Sequence, residues 1–404
     1  MQPEPERAPD RGRMTVIGAL GMFQILAWGS SYYLLAVLAE PIARDTGWSL
    51  AWIIGALSLG LLVEGLVAPF VGDAIERHGG RPILAGGAVL LAAGLGMLAL
   101  APSLPVFVAA WLVIGLGMGA GLYDAAFSTL GRLYGMAARR PITWLTLFGG
   151  FASTLCWPFS AFLESWLGWR GVCWVYAAIQ IAVCLPLILT MVPRQARRDP
   201  RPRRDHAREG RPPRDPLRRR QFVVIAAAFT ISAAIAAVIS VHLLTMLQAR
   251  DLTLGAAVAL GALMGPSQVG ARIVEMLLGQ RHHPVWAMIG ASVLVAVGLG
   301  ALWADLQWVG AAIVLYGGGM GIRSIVRGSV PLAVFGADGY AALMGRIAMP
   351  ALVVGALSPF LGAVLLENFG VDALFGALTV AALAGIALSA LLLVGLDRRQ
   401  EKLA

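Results

Sequence analysis

The chain has 404 residues, of which 58% are hydrophobic and 13% charged, with a formal net charge of +9 and a mean hydropathy of +0.77. A soluble domain of this length needs far more polar surface, which excludes the globular enzyme and binding classes. The positive balance raises nucleic acid as a partner, but the arginines sit in loops flanking apolar runs, so the expectation is no nucleic acid and a membrane topology instead.

Residues 1–13, MQPEPERAPDRGR, form a polar, cytoplasmic tail without expected structure. Twelve apolar runs follow, near 14–39, 49–71, 82–101, 105–130, 142–165, 169–192, 221–247, 253–278, 284–303, 307–332, 342–366 and 370–394. Hydrocarbon leaves no water for bare backbone groups, so runs of about 20 apolar residues read as spanning helices. The first run is too long for a cleavable signal and lacks a small-residue cleavage site. The fold class is therefore an all-α membrane protein, with an N-terminal six-helix half over 14–193 and a C-terminal one over 221–395.

Span one carries Gln24, Trp28, Ser30, Ser31, Tyr32 and Tyr33. Such a cluster lines a cavity or anchors the helix at the headgroups; its place near mid-span favours the cavity. An ionisable group at membrane depth costs roughly 2.5–3.5 kcal/mol on insertion scales, so each needs a reason. Span two holds Glu64, and span four holds Asp124 after Tyr123. Asp124, with Glu64 as runner-up, is the candidate carrier of a coupling proton; Arg132 is its bland alternative partner. Cys156, Cys173 and Cys184 fall in spans five and six, where they read as small apolar packing with no metal motif.

Between the halves lies 194–220, RQARRDPRPRRDHAREGRPPRDPLRRR, with twelve arginines. It reads as a flexible cytoplasmic linker that also sets topology, able to meet anionic lipid. Loops assigned outside hold only Arg44, Arg170 and Arg250, whereas Arg77, Arg81, Arg139, Arg140, Arg281 and Arg398 fall on the other side. Both tails, the second being 396–404, are then cytoplasmic.

In the second half, Gln268, Arg272 and Glu275 share one face of span eight at i, i+4, i+7. Arg272 either faces the cavity and grips a carboxylate in bidentate fashion or is braced by Glu275. Arg323 and Arg327 share a face of span ten; they want an acid, with Asp124 across the cavity or Asp338 as candidates, or an anionic ligand. Gly117-Met118-Gly119 recurs as Gly319-Met320-Gly321 and Pro158-Phe159 as Pro359-Phe360, so the halves read as copies, a transporter layout with a midplane site. No phosphate loop, metal cluster or nucleophile motif is visible, so neither an enzyme nor a cofactor is expected.

The loop between spans two and three reads Gly72-Asp73-Ala74-Ile75-Glu76-Arg77-His78-Gly79-Gly80-Arg81-Pro82. It resembles the G-x-x-x-D-R-x-G-R-R loop of the major facilitator superfamily, with Glu76 where Asp is usual. The resemblance implies a gating latch at Gly72, Asp73, Glu76, Arg77, Gly79 and Arg81, its acids pairing with arginines and a helix end. Gly47-Trp48-Ser49, Gly168-Trp169-Arg170 and Gln268-x-x-x-Arg272 are similar to the monocarboxylate transporter group and its bacterial relatives. That likeness implies a small organic anion as substrate, proton-coupled, in the inner membrane of a bacterium, with a monomer as the unit. The substrate set is Tyr32, Tyr33, Tyr123, Gln268, Arg272, Arg323 and Arg327. The chain departs from the group at Gln268, where Asp is usual, and in span one, where lysine is usual; its lone lysine is Lys402. Span four has Trp111 in the region where proton-coupled relatives carry arginine, and span five lacks the drug/proton antiporter pattern. The alternatives are an exporter of a toxic solute on the same scaffold and a non-transporting sensor that recruits partners through 194–220.

Overall fold

The computed structural model describes residues 10–196, 216–279, 282–304 and 308–401. The tail over 1–9, the linker core over 197–215, Arg281 and Lys402 lie outside the described residues. Among the described residues every regular element is helical.

Among the described residues, nine helical stretches are long and apolar enough to cross a membrane. One of them, Leu104–Met191, runs for 88 residues and another, Tyr340–Val394, for 55. A crossing needs about 20, so both must fold back. The first does so at Gly135 (φ 56) and Gly168 (φ 64), the second at Gly370 (φ 80). These left-handed turns suit glycine, which pays no Cβ penalty there. Splitting at them leaves twelve crossings, and the positions of the runs read from the sequence agree with them closely.

The two halves repeat one another in detail. Gly168 and Gly370 turn the chain with nearly the same dihedrals, ψ being 173 and 179. A Cβ on Gly119 would press on Val67 beside Glu64 of span two, and one on Gly321 would strike the Gln268 backbone of span eight. The duplication therefore sets Glu64 and Gln268 in matching positions. The N-terminal half is held by one large buried cluster that also takes in Leu332, Tyr340, Ala341 and Met344 of the C-terminal half, which has two smaller clusters of its own.

Four crossings are interrupted near mid-membrane. Span one stops at Ser30 and resumes at Leu35, span four breaks at Leu122 (ψ −165), span five at Phe151 and span eight between Gly261 and Met264. Breaks free carbonyls that lipid cannot satisfy, so side chains must reach them. Gln24 Nε2 does this for Gly121 O at 2.8 Å, and Trp28 Nε1 in turn donates to Gln24 Oε1 at 3.1 Å.

Three ion pairs cross between the halves: Asp73–Arg346, Asp124–Arg327 and Arg139–Glu275. All lie toward the end that bears the Gly72–Arg81 loop. At the opposite end Asp45–Arg170 and Arg250–Asp372 each stay inside one half. Among the described residues, the ion pairs that join the halves are thus confined to the loop end.

The linker's ends are tied down. Gln195 Oε1 accepts from Gly80 N at 2.9 Å, and Arg132 Nη2 donates to Ala196 O at 2.8 Å. Span seven begins at Pro216, so Arg218, Arg219 and Arg220, read as linker, are helical.

Candidate functional site

Spans five, eight and ten meet at Arg272. Its side chain is 6% exposed. Nη1 donates to Thr146 O at 3.0 Å, Nη2 to Gln268 Oε1 at 3.3 Å and Nε to Gly321 O at 3.4 Å. Every acceptor is neutral, and no carboxylate among the described residues stands within ion-pair distance. The bracing expected from Glu275 does not form: that carboxylate faces Arg139 at 3.9 Å. The span-eight helix sends Glu275 toward the loop end while Arg272 crosses to span five. The guanidinium thus keeps its charge without a counter-charge inside the bundle.

Gly150 makes this crossing possible, since a Cβ there would collide with Arg272 Nη1. Gly149 does the same for the Tyr123 hydroxyl, which donates to Thr146 O at 3.4 Å. Sequence reasoning missed this Gly-Gly pair because glycine in an apolar span reads as packing. Gly150→Ala is expected to push the guanidinium off Thr146 and lower substrate uptake at least tenfold with little loss of folded protein; flux assays beside size-exclusion profiles check this.

An aromatic box abuts the arginine. Trp28 contacts Tyr32, Tyr33 and Tyr123 at ring separations of 5.4, 6.1 and 5.2 Å. Tyr33 sits edge-on to Trp157 at 6.0 Å, and Tyr123 stacks on Phe127 at 5.2 Å. Tyr33 and Tyr123 both lie within electrostatic reach of Arg272.

Asp124 and Arg327 pair at 2.5 Å across the halves. Of the partners weighed for these groups, neither Arg132 nor Asp338 holds them; Arg132 donates to the carbonyls of Ile75 and Glu76 at the end of span two. Asp124 Oδ1 is buried with no hydrogen-bond partner. It and Glu64 line one enclosed void, about 10 Å³, bounded also by Ser128, Gly72 and Gly345. That is room for about one water. Arg323 is not brought to this group: its Nη1 donates to Ser232 O within the C-terminal half.

The latch residues separate in role. Asp73 accepts two 3.1 Å bonds from Arg346 of span eleven, a partner not identified from the sequence. Gly72 lets span eleven approach to Ala341 O, Glu76 receives Arg132 on its carbonyl, and Gly79 (φ 87) turns the chain against Gln195. Arg77 and Arg81 make no ion pair among the described residues. Arg139 adds a second clamp, donating to Gly279 O and to His282 O at 2.9 Å. The Asp73–Arg346 pair is partly exposed, so Arg346→Ala is expected to cost only about 0.5–1 kcal/mol of stability. Its larger effect is on the balance of states: a cysteine placed at Ala341 is expected to become several-fold more reactive toward a water-soluble maleimide.

A sequence model of the Major Facilitator Superfamily matches residues 20–322. The chain belongs to that superfamily. It is a multi-pass membrane transporter, and the transporter class replaces the enzyme class for it. Solved structures agree on the fold. The human organic anion transporter MFSD10 (TETRAN) superposes with a TM-score of 0.76 at 17% identity, covering 95% of this chain and 100% of that one. The transporter FucP, in its outward conformation, gives 0.73 at 13%, covering 95% and 99%. The proton:xylose symporter XylE gives 0.69 at 12%, covering 93% and 95%. No curated protein matches the sequence significantly.

Proposed function

We propose that this transporter moves a small organic anion, a monocarboxylate, by alternating access and in company with protons. The observation that carries the reading is Arg272: a buried guanidinium whose partners are two carbonyls and an amide oxygen, at the point where spans five, eight and ten meet. A carboxylate arriving there exchanges weak neutral acceptors for a charge-assisted, two-pronged bond. Gln268 orients the guanidinium, and Tyr33 and Tyr123 border the space. Arg327 and Arg323 serve the state change and the C-terminal half, respectively, rather than the first contact with substrate.

Glu64 and Asp124 carry the coupling proton. They share one void, and one oxygen of Asp124 is left without a partner, so a proton added there has a place to bond. Neutralising Asp124 weakens its hold on Arg327, which frees the loop end to open. The end opposite the Gly72–Arg81 loop faces outside if the arginine-rich loops are cytoplasmic, which also places both termini in the cytoplasm of a bacterial cell, with anionic lipid near the 194–220 linker and one chain as the unit. The neighbours named as an organic anion transporter and a proton symporter are consistent with this chemistry but share only the fold.

The test is uptake of labelled carboxylates into proteoliposomes with and without an inward proton gradient. Wild type is expected to show gradient-stimulated uptake. Glu64→Gln and Asp124→Asn are expected to lose the stimulation while still exchanging internal for external substrate. Uptake that ignores the gradient in wild type sinks the coupling, and outward movement driven by the same gradient favours the exporter alternative.

A further inference from the structure

The aromatic box does not end at Arg272. Trp157 continues it along span five, edge-on to Tyr33. It is 45% exposed. Its exposed face opens on a groove of about 400 Å³, bounded by Ala36 and Val37 of span one and by Ser153, Thr154, Pro158 and Ala161 of span five. The groove lies toward the end of the molecule opposite the Gly72–Arg81 loop. The walls are apolar except for the hydroxyls of Ser153 and Thr154, which suits an apolar body rather than a charged head.

The spacing sets a length. Gly150, against which Arg272 rests, and Trp157 are seven residues apart, about 10 Å at the rise of a helix. A two- or three-carbon acid bound to Arg272 leaves the rings of Tyr33 and Trp157 uncovered. A carboxylate with a flat apolar body covers them, and offset or edge-to-face ring contacts are worth about 0.5–1.5 kcal/mol each beyond area burial.

We propose that the transported anion is an aryl or arylalkyl carboxylate, its charge on Arg272 and its ring against the exposed face of Trp157. The inference rests on the anion reading above and narrows it to one chemical class. Charge complementarity supplies the head and the groove supplies the body, the usual division of a small-molecule site between few polar and many apolar contacts.

The experiment is ligand-induced thermal stabilisation of the purified full-length protein, followed by counterflow in proteoliposomes. The probes are phenylacetate, 3-phenylpropionate, lactate, and 2-phenylethanol as the uncharged control. The aryl acids are expected to stabilise at concentrations at least tenfold lower than lactate, with 2-phenylethanol weaker than phenylacetate. Trp157→Ala is expected to lower the phenylacetate-to-lactate affinity ratio about tenfold. Trp157→Leu, which keeps bulk and removes the ring, guards against a folding defect and is expected to move the ratio the same way. Equal binding of phenylacetate and lactate, with the ratio unmoved in both variants and lactate binding lost in Arg272→Ala, overturns the aryl assignment and leaves the anion reading standing. Binding of none of the acids by folded protein overturns both.

Discussion

Arg272→Ala is expected to abolish carboxylate uptake while the protein still folds. A hydrogen bond to a charged group is worth about 1.5–3 kcal/mol, so losing a two-pronged one lowers apparent affinity by about ten- to a hundredfold or more. The same change frees the carbonyls of Thr146 and Gly321, which now accept from the guanidinium. Leaving buried acceptors bare costs about 1–3 kcal/mol each, so some loss of thermal stability must accompany the loss of transport. Arg272→Lys separates the two effects. Lysine keeps the charge but has no planar fork and cannot hold Gln268, Thr146 and a carboxylate together. It is expected to recover stability and only a small part of uptake. Full uptake by a folded Arg272→Ala protein removes the anion site from this position.

Breaking the Asp124–Arg327 pair is expected to have the largest effect on stability. Both side chains are mostly shielded, at 12% and 21% exposure. Removing one partner of a buried pair strands the other and costs about 3–5 kcal/mol. Asp124→Ala and Arg327→Ala are therefore each expected to be severe. The double substitution is expected to cost much less than their sum, because no uncompensated charge is left. Since the pair joins the two halves, the loss falls on the state clamped at the loop end and not on either half alone. A cysteine at Ser128, now 2% exposed on the wall of the shared void, reports this: its alkylation is expected to accelerate in the single variants and to return toward the wild-type rate in the charge-swapped Asp124→Arg, Arg327→Asp protein. Additive single and double effects on melting show that the pair is no bolt.

Much of the fold was legible because hydrocarbon is an undemanding solvent to read. It requires long apolar runs, and those runs stand out in the sequence whatever they pack against. The loop motif was legible for a related reason: its glycines and charges sit outside the apolar runs, where little else competes for attention. The partners were harder. Asp73 announced a latch, but nothing within the span-two loop points to Arg346, which lies 273 positions away. Arg272 stood out as a charge in a span, whereas Gly150, which makes room for it, is one glycine among 49. Glu275 looked like the natural brace for Arg272 on helical spacing, and the structure turns it to Arg139 instead.

Composition and periodicity alone determined a membrane protein of twelve crossings in two repeated halves, with a small set of charges too costly to be idle. These follow from free energies that each residue brings with it: transfer of apolar surface, the price of a bare backbone group, the penalty on a buried charge. Only the tertiary structure decided which charges meet. Asp124 took Arg327, Asp73 took Arg346, and Arg272 was left with neutral acceptors beside a wall of rings. Pairing energies depend on distance and shielding, and those are set by how the two halves close on each other, a property of the packed bundle that no single span contains.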